Sequence, residues 1–182
     1  MDEQFEFLKL VVARLDAARI PYMLTGSLAL AIYALPRMTR DIDLVIDGDE
    51  QRVAALVAAF ALDSYVSAEA ASTAMREHGM FNVIHLATLL KADFIVLAPQ
   101  AYERAKFARR QAVDLDGFSA MVIAPEDLVL SKLLWGRGAG SARQEEDVRA
   151  LLEQNPGLDW SYLEAWAERL ELTDLIARLR SS

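Results

Sequence analysis

Cysteine is absent from the chain. That excludes disulfides, thiolate metal sites and cysteine nucleophiles, and it is compatible with a reducing, cytoplasmic setting. Histidine is scarce. His78 and His85 are the only two, too dispersed for a histidine-based metal centre, and His85 in an apolar run reads as a structural residue. No Ser-His-Asp arrangement is suggested. No apolar run reaches the roughly 18 residues of a membrane span, and the acidic, polar start MDEQFEFLKL is unlike a signal peptide. Positive charge is also short: 19 Lys and Arg against 27 Asp and Glu leave a net charge of −8. A protein that clamps nucleic acid without regard to sequence is usually basic. The balance argues against that class, while leaving room for a local basic patch or a cation-mediated phosphate contact. Internal repeats and low-complexity segments are lacking. The stretch Gly136-Arg-Gly-Ala-Gly140 has no Lys-Ser/Thr of a P-loop and reads as a flexible connection that ends a helix.

What is present is a chain of 182 residues, 54% of them hydrophobic, enough for one compact domain with a helical appendage. Phe5, Leu8, Val12 and Leu15 recur at helical spacing. Tyr22 to Thr25 is a short apolar strand between Pro21 and Gly26. Ser27 opens an apolar helix, Leu28 to Leu35, stopped by Pro36, and is placed to cap it. Asp41 to Asp47 alternates as a strand does, putting Asp41 and Asp43 on one face. Helices follow at 50–62 and 68–77, strands at 81–86 and 92–97, and a helix at 99–109. A hairpin turns at Asp116-Gly117. Helices from Pro125 to about Trp135, then 145–154, 160–170 and 172–180, complete the chain. This order predicts an α+β (mixed α/β) fold, a small mixed sheet flanked by helices with further helices at the C-terminus, rather than a regular doubly wound one.

The chemistry concentrates in Gly26-Ser27 and Asp41-Ile42-Asp43, about fourteen residues apart. Two carboxylates on one strand face can each offer oxygen to a hard cation such as Mg²⁺. Paired cations can clamp an in-line phosphoryl displacement. A glycine lets a phosphate approach the backbone, and a serine hydroxyl at a helix N-terminus supplies donors to it. Taken singly, a Gly-Ser turn is an ordinary helix start and an Asp-x-Asp is an ordinary solvated strand face. Together and in this order they predict a site for phosphates and metal.

The run Gly26-Ser27-Leu-Ala-Leu-Ala-Ile-Tyr-Ala-Leu-Pro36-Arg37-Met38-Thr39-Arg40-Asp41-Ile42-Asp43-Leu44 resembles the signature of minimal nucleotidyltransferases of the polymerase-β superfamily. More narrowly, it is similar to the bacterial abortive-infection-type nucleotidyltransferase toxin group, in which Arg-x-Thr-x-Asp-hydrophobic-Asp follows a Gly-Ser helix. Phe81-Asn-Val-Ile-His85 and Lys91-Ala-Asp93-Phe-Ile-Val resemble that group's later strands. Pro125-Glu126-Asp127-Leu with Lys132-Leu133 resembles its downstream helix, and the segment from Arg143 to Asp147 resembles its arginine–aspartate segment. The Gly-rich segment departs from the fuller toxin pattern, where a longer Arg- and Lys-bearing stretch stands.

The resemblance implies a core over residues 1–124 and a helical region over 125–182 packed on it as one unit. It implies transfer of a nucleoside monophosphate from an NTP to a hydroxyl acceptor with release of pyrophosphate, using Mg²⁺ or Mn²⁺. Asp41, Asp43 and Asp93 would be the catalytic and metal-binding carboxylates, with Asp93 able instead to take the acceptor's proton. Gly26, Ser27, Arg37, Thr39, Arg40 and Lys132 would contact the nucleotide. The acceptor (a tRNA end, a protein side chain or a small molecule) is not readable, nor is the base. The resemblance also raises a toxin role with an antitoxin partner, and the apolar C-terminal helices offer a face for a second copy. The alternative is a catalytically inactive nucleotide-binding or interaction protein on the same fold.

Several residues carry two readings. Asp93 is either the third site carboxylate or a strand-edge partner of Lys91. Arg37, Thr39 and Arg40 either grip phosphate or balance the Asp pair. Lys132 either reaches phosphates or carries its head to solvent. Arg143 and Asp147, four apart, can pair with each other. Arg104, Lys106, Arg109 and Arg110 form either a phosphate-binding cluster or a solvated helix face. Trp135, Trp160 and Trp166 read as packing residues rather than base-stacking platforms.

Overall fold

The computed structural model describes residues 2–34, 41–139 and 142–180. Its centre is a seven-stranded mixed sheet in the order β3-β4-β5-β2-β1-β7-β6. The strands are β1 (Tyr22–Thr25), β2 (Asp41–Ile46), β3 (Ser64–Val66), β4 (Met80–His85), β5 (Lys91–Val96), β6 (Gln111–Asp114) and β7 (Ser119–Val122). The helices are α1 (Asp2–Ala17), α2 (Gly26–Tyr33), α3 (Val53–Phe60, led by a 3₁₀ turn at Glu50–Arg52), α4 (Ala68–Glu77), α5 (Ala101–Ala108), α6 (Pro125–Ala139), α7 (Ala142–Gln154), α8 (Trp160–Arg169) and α9 (Thr173–Arg180). The fold is mixed α/β, as the order of elements predicts.

The alternation in β2 has a direct structural result. Ile42, Leu44 and Ile46 on one face are fully buried, which is where the strand's apolar half belongs. They lie beside Ala92, Phe94 and Val96 of β5, because β2 and β5 run parallel with Asp43 opposite Asp93. Phe60 of α3 covers this apolar face, its ring centroid 5.7 Å from that of Phe94, while Phe81 of β4 stands beside Phe94 at 5.3 Å and α4 packs against β4 and β5. The opposite face carries Asp41, Asp43, Lys91, Asp93 and Ile95. Period-two geometry therefore separates the core from the charged face strand by strand.

Three local expectations change. Ser27 does not cap α2. The helix begins two residues earlier, at Gly26 rather than Leu28, and the capping position falls to Thr25, whose side chain makes no capping bond. The short strand β3 is absent from the sequence reading, since Ser64-Tyr65-Val66 is too brief to show a period; it forms only by pairing with Val83 to His85. Finally, Gly136 does not stop α6, which continues to Ala139. A Cβ at Gly136 would stand 3.3 Å from the Gln144 Cβ, so the glycine serves close packing of α6 against α7 rather than a break. Gly140 lies outside the described residues.

The C-terminal helices are tied to the sheet layer through the first turn of α6. Pro125 suits a helix start, since its missing N–H would be unpaired there anyway. Asp127 behind it is fully buried. It accepts from Tyr162 Oη at 2.7 Å and from Arg109 Nε at 3.1 Å. Glu126 accepts from Arg109 and from the Asp159 amide. One acidic pair thus joins α5, α6 and α8. Burial raises the Asp127 pKa, while Tyr162 and Arg109 hold it down. No helix among the described residues is long and apolar enough to cross a membrane.

Candidate active site

The site begins where β1 turns into α2. Gly26 has φ +67°, a left-handed conformation that strains any residue with a Cβ. Space excludes a side chain as firmly. A Cβ on Gly26 would stand 2.0 Å from Asp43 Oδ2 and 2.7 Å from its Cγ. The glycine is therefore there because Asp43 presses against its backbone. The Asp43 carboxylate accepts the Ser27 amide N–H, so an acidic side chain from the neighbouring strand takes the place of a local cap and meets the positive end of α2. Thr25 pairs with Asp43 across the β1–β2 ladder, which fixes this contact in register.

On the other side of β2, Asp93 is buried and stands opposite Asp43. It accepts from the Asn82 side-chain amide and pairs with Lys91 at 3.0 Å. Lys91 Nζ also lies 3.6 Å from Asp41 Oδ1. Asp93 is the lysine's partner, on an interior strand rather than at an edge, and it shares the Asp pair's face. Burial, then the like charges of Asp93 and Asp41, raise the Asp43 pKa; Lys91 and the Ser27 amide oppose them. Lys91 in turn is held charged by its bond to Asp93. Among the described residues, no three acidic or histidine side chains close into a ready-made metal cage. The site is instead a row of carboxylates with more negative charge than its lysine neutralises.

Helix α6 forms the facing wall. Leu128, Ser131, Lys132 and Trp135 follow the i, i+3, i+4, i+7 spacing of one helix face and line a cleft of about 200 Å³ with Gly26, Ser27 and Asp43. Lys132 does not carry its head to solvent. It is buried and bonds Asp147 Oδ2 at 2.7 Å and Gln144 Oε1 at 3.5 Å. Trp135 does not pack in the core: it is 76% exposed while lining this cleft. Trp166 packs between Tyr102 and Tyr162, and Trp160 lies under Arg180, as packing residues do. The structure thus brings together Gly26, Ser27, Asp41, Asp43, Asp93 and Lys132. Arg37, Thr39 and Arg40 lie outside the described residues.

Sequence reasoning missed Asn82, Gln144 and Ser131 and misread Trp135. The signal for Ser131 and Trp135 was the helical stripe through Lys132. Asn82 and Gln144 reach the site only through tertiary contact. The basic cluster is engaged internally. Arg104 meets Asp47, Lys106 meets Glu103, and Arg109 meets Glu126 and Asp127. Arg110 lies over Phe107 and donates to its carbonyl. His78 and His85 bond the Leu97 carbonyl and Thr88, as structural histidines do.

Known structures share this arrangement of elements. The chain superposes on ANT(2")-Ia, solved in complex with adenylyl-2"-tobramycin, with a TM-score of 0.60, 17% identity and 99% coverage of each chain. An antigenic nucleotidyltransferase-like protein from Paracoccidioides brasiliensis gives 0.62 at 18% identity, covering 98% of this chain and 93% of that one. The lincomycin-bound lincosamide adenylyltransferase LnuA gives 0.52 at 14% identity, covering 82% and 94%. At such identities the likeness is one of fold. No curated protein matches the chain in sequence. The family described as "nucleotidyltransferase of unknown function (DUF6036)" matches residues 2–178, nearly the whole length, and the chain belongs to that nucleotidyltransferase family.

Proposed function

We propose that this cleft transfers a nucleoside monophosphate from an NTP to a hydroxyl acceptor and releases pyrophosphate. The observation that carries the reading is Gly26. Its left-handed backbone and missing Cβ let Asp43 and the start of α2 converge, so that phosphate donors and a site carboxylate share one cleft.

In this reading the Gly26 backbone and the Ser27 hydroxyl receive triphosphate oxygens at the positive end of α2, the Ser27 amide being engaged by Asp43. Lys132 lies on the facing wall and adds positive charge held in place by Asp147. Arg37, Thr39 and Arg40, just before the Asp pair in sequence, add phosphate contacts on the strength of the resemblance. Asp41, Asp43 and Asp93 fit a divalent ion. Their donors are hard oxygens, and the Asp43 pKa is raised by burial first and then by the like charges of Asp93 and Asp41, the part of the cost that a cation relieves. Magnesium or manganese, when bound there, supplies Lewis-acid neutralisation of phosphate oxygens. Asp93 accepts the proton of the acceptor hydroxyl. The acceptor oxygen bonds to the α-phosphorus, and the bond from that phosphorus to the pyrophosphate oxygen breaks.

The acceptor in this reading is a small hydroxylated molecule. The basic cluster that a nucleic acid would use is engaged internally, and the chain is strongly acidic. Two structural neighbours, an aminoglycoside-bound and a lincosamide-bound protein by their descriptions, fit the same class. The test is incubation with each α-labelled NTP, Mg²⁺ or Mn²⁺ and a panel of acceptors (aminoglycosides, lincosamides, tRNA, protein), beside Asp43→Asn. Labelled small-molecule product from the wild type and none from the variant is expected. Undiminished transfer in Asp43→Asn removes the site assignment, and product on tRNA alone removes the acceptor class.

A further inference from the structure

Among the described residues on the cleft wall, Trp135 is a large side chain left 76% exposed. The residues beside it on the α6 stripe are satisfied within the protein. Leu128 is buried, Lys106 donates to the Ser131 hydroxyl at 3.5 Å, and Lys132 is locked to Asp147. Trp135 continues the same stripe one turn beyond Lys132 and is 76% exposed. Its neighbour Gly136 is fitted closely to Gln144, which holds this turn of α6 against α7. The indole is therefore carried on a fixed helix rather than on a loop. An exposed indole costs solvation unless something covers it, and its planar face suits another planar ring.

We infer that Trp135 is the platform on which the nucleobase of the bound NTP stacks. The inference rests on the nucleotide reading of the cleft and goes beyond it by placing the base. Gly26 and Ser27 form one wall, at the start of α2, and the acceptor side is set by Asp93 on β5, beyond Asp43 from β1. A nucleotide with its triphosphate at Gly26 and its α-phosphorus facing Asp93 has its base left to occupy the α6 side. Trp135 supplies the planar apolar surface there. Stacking recognises the π-face that every base has, so it discriminates little among bases. The platform predicts broad NTP acceptance, with selectivity left to the acceptor.

The experiment measures binding of each Mg²⁺-NTP and of Mg²⁺-tripolyphosphate by calorimetry to the wild type, Trp135→Ala and Trp135→Phe, with thermal melts to show that each variant is folded. Trp135→Ala is expected to weaken all four NTPs by about 5- to 150-fold, the range for removing one base–aromatic contact. It leaves tripolyphosphate binding within twofold, and Trp135→Phe restores most of the loss. NTPs, but not tripolyphosphate, also quench the wild-type tryptophan emission. Wild-type NTP binding that Trp135→Ala leaves unchanged overturns the platform while leaving the nucleotide reading intact. An equal loss for NTP and tripolyphosphate overturns it as well, because the residue then acts on the phosphate site or the fold. A wild type that binds neither ligand overturns both readings together.

Discussion

Gly26→Ala is the sharpest perturbation of this site, and its cost can be worked from the contacts. The alanine must hold a left-handed backbone, at about 1–2 kcal/mol. Its Cβ meets Asp43 Oδ2 at 2.0 Å, Cγ at 2.7 Å and Cβ at 2.9 Å. An ordinary contact is about 3.5 Å, so the carboxylate must retreat by about 1.5 Å and the strand behind it must give slightly. Overpacking of this kind costs about 1–3 kcal/mol, giving a sum of about 2–5 kcal/mol. That is a large share of the roughly 5–15 kcal/mol that holds a domain folded, but it leaves the fold populated. The displaced Asp43 also leaves the Ser27 amide, and a misplacement of about 1 Å at a reacting centre can lower the rate by about 10²-fold. Urea unfolding of the four proteins in a cycle with Asp43→Ala isolates the cause. Without the carboxylate the 2.0 and 2.7 Å contacts go and the 2.9 Å contact to Cβ remains, so Gly26→Ala should then cost less than in the wild type but more than its backbone strain of about 1–2 kcal/mol, and the coupling should be about 0.5–3 kcal/mol. Additive effects of the two substitutions would refute the reasoning, as would a Gly26→Ala protein with wild-type stability and transfer.

Asp43 itself should be a stability cost. Burial chiefly, then Asp93 and Asp41, raise its folded pKa, so the stabilisation carried by its protonated form is complete below about pH 3.9 and lost as pH rises through the folded value. In chelator at neutral pH, Asp43→Asn is expected to gain about 0.5–2 kcal/mol in urea unfolding while abolishing transfer; a loss of stability contradicts this. Lys132 and Asp147 form a buried pair at 2.7 Å, with side chains 7% and 6% exposed. Lys132→Met should cost about 3–5 kcal/mol, and the double variant Lys132→Met/Asp147→Leu should recover most of it; a single-variant cost below about 1 kcal/mol refutes the buried-pair account. Arg14 donates two hydrogen bonds to Asp63 and holds its pKa down to about 2. The stability this gives is present above about pH 4 and fades as pH falls toward about 2, so the gap in urea midpoint between wild type and Asp63→Asn should close over that window. A gap that persists unchanged at the acid end would show that packing, not ionisation, sets it.

The sequence by itself determined what depends on a few neighbouring residues. The alternation of Asp41 to Ile46 put two carboxylates on the polar face of one strand, and Tyr22 to Thr25 and Ala68 to Glu77 took the strand and helix bounds that their patterns predict. Gly26 was legible as a place of close approach to the backbone, and the group that approaches there is the Asp43 side chain. Tertiary structure decided everything that joins distant segments. Asp93 faces Asp43 because β2 and β5 pair in one parallel register, which no local period encodes. Asp43, rather than Ser27's side chain, serves the start of α2, since a charged acceptor across the sheet was invisible from the helix's own sequence. Lys132 is buried because Asp147 on the next helix neutralises it. α6 runs past Gly136 because Gln144 comes close enough to need a residue with no side chain there. That Trp135 is 76% exposed on the cleft wall while Leu128 of the same stripe is buried was likewise decided by the assembled fold. Local periodicity fixes which face a side chain takes, and only the assembled sheet and helices fix what stands opposite it.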